Sequence, residues 1–151
     1  MQWLIHVAGK YGREGHDHSR FYLHDPVFEM PGSERYYQHT FMLALVAAIR
    51  GLATTDPAAF LVAVGQMAGS DSMVVHQLIA EGLAALGKAR PQDVLAYILG
   101  DDRRLALGSR YDDKHSRAMI TAVAPFLDPA DARRLEEKIL VTVQASAKST
   151  Q

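Results

Sequence analysis

Helix-start signals recur along this chain at a nearly even spacing, each followed by apolar residues at a helical period. Asp56-Pro57, Pro91 and Asp128-Pro129 set a proline where a first helical turn needs a fixed φ and has an N–H to spare. In the two Asp-Pro pairs the preceding carboxylate can accept from that turn's orphan N–H groups. These starts are about 35 and 37 residues apart, and a further start falls between each pair. Such punctuation commits the chain to short helices in antiparallel hairpins.

From Tyr36 onward the segments read clearly. The first runs from about Ser33 to Ala53, with Tyr37, Phe41, Leu45, Ala48 and Leu52 on one face. Met42, Leu43, Val46 and Ile49 are also apolar, which predicts burial on more than one side. Phe60, Leu61, Val64 and Met67 form the next face, stopped at Gly69. Ser70-Asp71-Ser72 caps a helix carrying Val75, Leu78, Ile79, Gly82, Leu83 and Leu86, with Gly87 just past it. Pro91 opens a helix with Val94, Leu95, Ile98 and Leu99, closed at Gly100, and a short helical turn is expected around Asp101 to Leu107. Asp113 or Ser116 starts the next, with Met119, Ile120, Val123 and Leu127 inward and Pro125 kinking or ending it. Leu135, Ile139 and Val143 are the expected inner face of the last helix. The methionines Met67, Met73 and Met119, with Phe60 and Phe126, fall at helical spacing and read as core.

No alternating strand pattern competes, so the fold class is all-α. A helix-pair period in the thirties to forties favours antiparallel hairpins stacked as a HEAT-like α-solenoid over a compact bundle. Three zones follow: a loop-rich segment over 1–35 packed on the array, a helical-repeat domain over 36–145, and a flexible tail over 146–151. Tyr22, Leu23, Val27 and Phe28 are the expected anchors of the first.

The charge balance narrows the partners. Lys plus Arg number 16 against 17 Asp plus Glu, without the basic excess of a nucleic-acid or membrane-surface binder. The longest apolar run, Phe41 to Ile49, is far short of the roughly 20 residues that span a bilayer. Met1 to Lys10 lacks the pattern of a secretion signal, and the expected location is cytoplasmic. Cysteine is absent, which removes disulfides, thiolate metal sites and cysteine nucleophiles.

The stretch Ala68 to Leu86, AGSDSMVVHQLIAEGLAAL, resembles the inner half of a HEAT repeat, with Val75, Ile79-Ala80, Leu83 and Leu86 at the repeat's apolar positions. It departs at His76, where such repeats carry Arg or Lys. The block QDVLAYILGDDRRLALG, followed by SRAMITAVAPFL and ARRLEEKIL, is similar to helical-repeat regions of large bacterial STAND (NACHT-like) NTPases, several of which act in antiphage defence. The N-terminal FYLHDPVFEMPGSERYYQHTFMLAL fits the same pattern. That resemblance implies a protein-interaction or scaffold module from the sensor arm of a larger signalling or defence protein. It also implies a protein partner and a tendency to homo-oligomerise through exposed solenoid ends.

Candidate chemistry is sparse. His16, Asp17 and His18, with His24 and Asp25 nearby, are suitable metal ligands by type, and a small metal-dependent helical enzyme built on them is the alternative reading. The segment lacks HExxH and a second cluster at ligand spacing, so a solvated loop is the expectation. His6, His39, His76 and His115 are separate, with His39 and His76 expected as hydrogen-bonded, partly buried imidazoles. Arg103, Arg104, Arg110, Lys114 and Arg117 interleave with Asp101, Asp102, Asp112 and Asp113, which predicts a salt-bridged solvated face. No Walker or GxSxG motif is present. The expectation is therefore no catalytic, metal or cofactor site.

Overall fold

A computed structural model describes residues 36–107 and 113–148, with side chains over 43–107 and 113–144. Those residues form helices throughout and no strand. The order is α1 (Tyr36–Thr55), α2 (Pro57–Met67), α3 (Met73–Leu86), α4 (Pro91–Leu99), α5 (Lys114–Val123) and α6 (Pro129–Lys148). Two 3₁₀ turns, Asp102–Ala106 and Ala124–Phe126, flank α5. The N-terminal zone over 1–35 and its expected anchors lie outside the described residues.

The proline-led starts work as their chemistry predicts. Asp56 alone separates α1 from α2, and its carboxylate accepts from the Ala59 N–H at 3.0 Å. Asp128 Oδ1 accepts from the N–H groups of Ala130 (2.9 Å) and Asp131 (2.8 Å) at the start of α6. Pro125 ends α5 by tightening its last turn into a 3₁₀ step.

The core is organised around α3. This helix packs against α1 on one side and α5 on the other, while α4 lies against α6. Val75, Leu78, Ile79, Leu83 and Leu86 are all buried, as the period predicts, and so are Met73, His76, Gln77 and Ala80. An α3 buried nearly all round explains why it carries one charged side chain, Glu81. Leu83 and Ile79 each contribute about 1.5–3 kcal/mol by leaving water.

Two glycines admit this packing. A Cβ on Gly82 would sit 2.4 Å from the Phe60 ring, and one on Gly87 would sit 2.8 Å from both Cβ and the carbonyl oxygen of Ala122. Gly87 is right-handed at φ −45°, not a left-handed helix cap, so close approach to α5 is what requires glycine there.

Three expected faces are rotated or exposed. In α1 the inward residues are Leu45, Ile49, Leu52 and Ala53, whereas Leu43 and Ala48 face outward, so burial is one-sided over the described side chains. Phe126 is exposed, because it sits in the 3₁₀ step after α5 rather than on the helix itself. In α6 the inner face is Leu135, Lys138, Ile139 and Thr142, and Val143 points outward. Residues 135, 139 and 142 align within one helical stripe, while residue 143 lies about 80° around from Leu135.

Candidate functional site

Buried polar groups gather where the α2–α3 turn, α3, α4 and the first 3₁₀ turn meet. His76 on α3 is 1% exposed. Its Nε2 lies 2.7 Å from the Ser70 carbonyl, which can only accept, so Nε2 carries the proton. Nδ1 is then the acceptor, and the Tyr97 hydroxyl donates to it at 2.5 Å. Burial holds the His76 imidazole below its ordinary range, opposed by the Ser70 bond and reinforced by the Arg104 charge. The same burial pushes the Tyr97 phenol up, so it stays protonated and donating.

Arg104 closes this seam. Its guanidinium donates to the carbonyls of Tyr97 (2.6 Å) and Ala68 (2.9 Å) and lies 4.1 Å above the Tyr97 ring centre. The Ser116 hydroxyl of α5 donates to the Arg104 carbonyl at 2.8 Å and accepts from the Leu107 N–H at 2.7 Å. One arginine and one serine thus tie the 3₁₀ turn to α4, α5 and the turn before α3. Asp101, at the head of that turn, is held by Arg103, which lowers its carboxyl to about 2. Arg103 also reaches toward Asp71 at 3.9 Å.

A second polar cluster bridges α1, α3 and α5. Glu81 binds Arg50 through Oε2 at 2.8 Å and His115 Nδ1 through Oε1 at 3.0 Å. His115 is buried, and its hydrogen bond is the largest cause holding the Glu81 carboxyl below its usual range.

The interleaved charges divide. Arg103 pairs with Asp101 and Arg117 with Asp113, on an exposed face as the interleaving predicts. Arg104 departs from that expectation: it is a buried structural cation, because two carbonyls and an aromatic face replace its water. Arg110 and Asp112 lie outside the described residues. So do His6, His16, Asp17, His18, His24 and Asp25, and the side chain of His39.

Sequence reasoning placed His76 as a hydrogen-bonded imidazole but missed Tyr97, Arg104, Ser116 and the Glu81–His115 pair. His76 finds its partners 6 and 21 positions away, in the turn before α3 and on α4, and no helical period reports the second. Among the described residues no three His, Asp or Glu side chains gather to hold a metal. No helix among them is long and apolar enough to cross a membrane. The His76–Arg104 cluster bonds mainly to backbone carbonyls and the Glu81 cluster joins side chains of three helices, an arrangement suited to fixing helices.

No family model, curated protein or solved structure matches this chain.

Proposed function

We propose that this chain is a helical scaffold module that binds a protein partner through its outer helices. The observation that carries this reading is the outward surface of α6. Leu140, Val141 and Val143 are 59%, 60% and 61% exposed, although Leu135 of the same helix is buried. Leu140 and Val143 stand one turn apart and share a flank. Isolated exposed apolar residues are ordinary, but Leu140 and Val143 together form an apolar flank suited to contact, with Val141 about 100° around the helix from Leu140.

The alternating packing of α1, α3 and α5, with α4 against α6, supports hairpins stacked in two layers. In a HEAT-like solenoid the next hairpin would cover α6, so the same surface serves either an adjoining repeat or a separate protein. The resemblance to the helical arms of STAND NTPases supports a scaffold or sensor role within a larger assembly. Buried polar seams fit that role, since a rigid array transmits the position of a bound partner.

Co-purification from the source cells with the tagged chain tests the reading. A defined protein retained by the unaltered chain and lost on Leu140→Glu with Val143→Glu is the expected result. Unchanged partners with the double variant would overturn it.

A further inference from the structure

His76 stands where α3, the α2–α3 turn and α4 meet. It joins α3 to the α2–α3 turn through Ser70 and to α4 through Tyr97, and Arg104 joins that turn and α4 to the 3₁₀ turn. Only the Tyr97 bond requires the neutral imidazole, because Nε2–H donates to Ser70 in either charge state. A second proton on Nδ1 would face the Tyr97 oxygen and force that hydroxyl to turn its own proton elsewhere. His76 is the hydroxyl's hydrogen-bond partner, so the turned proton would meet no other acceptor among the described residues in this buried site.

The charges around His76 oppose that proton as well. Arg104 is a buried cation against the same Tyr97 ring, and Arg103 adds to its field from the same turn. Asp101 is the compensating anion, but it is committed to Arg103 through bonds of 2.7 to 3.1 Å. Asp71, on the α2–α3 turn, also faces Arg103.

We propose that His76 is an acid-sensitive latch whose protonation releases α4 and the 3₁₀ turn from α3 while the α1–α3–α5 packing holds. Glu81 and His115 clamp that packing from the far half of α3, away from the latch. The sign follows from burial. Because the folded imidazole resists protonation, the unfolded or opened chain takes up the proton first as pH falls below about 6.5. The stabilisation from neutral His76 is complete above that value and is lost as pH falls toward the folded-state value. The latch stands independently of the partner-binding role, since it concerns how the module is held together.

The test is imidazole ¹⁵N NMR with amide hydrogen exchange on the full chain, from about pH 7.5 to about pH 5. The expected result is a neutral, Nε2-protonated His76 at the upper end. Protection at the Gly100 and Arg104 amides then falls about tenfold per pH unit over part of that range. Leu83 in α3 keeps its protection, and His76→Gln, which cannot gain the charge, abolishes the pH dependence at Gly100 and Arg104. Four results would overturn the proposal: His76 charged at the upper end, no loss at Gly100 and Arg104, uniform loss across all helices, or the same loss in His76→Gln. If His76→Gln does not fold, the wild-type titration and the site-resolved protection decide between these outcomes.

Discussion

Nδ1 of His115 lies 3.0 Å from Oε1 of Glu81, and the other oxygen of that carboxylate holds Arg50. Three helices are therefore linked through one side chain, the sole charge on α3. Glu81→Gln keeps the shape and weakens both bonds, leaving the buried His115 against a poorer partner. A loss of about 1–3 kcal/mol is expected, read by urea unfolding at neutral pH. Because His115 and Arg50 hold the folded Glu81 carboxyl below its unfolded value, its contribution is present above the unfolded value. It is lost as pH falls through the folded one, so variant and parent should converge in strong acid.

Two glycines on neighbouring helices predict opposite signs. Gly82→Ala drives a methyl into the Phe60 ring, which is buried and has no room to retreat. The cost of overpacking, about 1–3 kcal/mol, outweighs the gain of up to about 1 kcal/mol in helix propensity. Gly65, in α2, has nothing within 4 Å of the corresponding position. Gly65→Ala should raise stability by about 0.4–1 kcal/mol. Paired thermal melts check both signs.

Ser116→Ala removes the acceptor for the Leu107 N–H and the donor to the Arg104 carbonyl in a fully buried site. A loss of about 1–3 kcal/mol is expected in urea unfolding. Amide exchange should rise first at Leu107, ahead of any change in α1.

The helices were legible because their starts are chemical. Asp56-Pro57 and Asp128-Pro129 act through groups within three residues of one another, and the period of α3 is unbroken from Val75 to Leu86. The inner face of α6 was misread at Val143 because leucine, valine and isoleucine occur on both sides of that helix. Gly87 follows the expected end of α3 as the sequence places it, but its reason is contact with Ala122 on α5, which no local signal reports. The polar seam was largely hidden. Arg104 sits in a run of alternating charge that reads as solvated, and only the fold brings Ala68 and Tyr97 around it.

The most direct measurement of the central claim is site-specific photocrosslinking in the source cells, with the crosslinker at Leu140, at Val143, or at exposed Gln66 on α2. The account predicts one discrete adduct from Leu140 and Val143 and none of that size from Gln66. No adduct from α6, or the same adducts from all three positions, would contradict a scaffold that engages its partner through this surface.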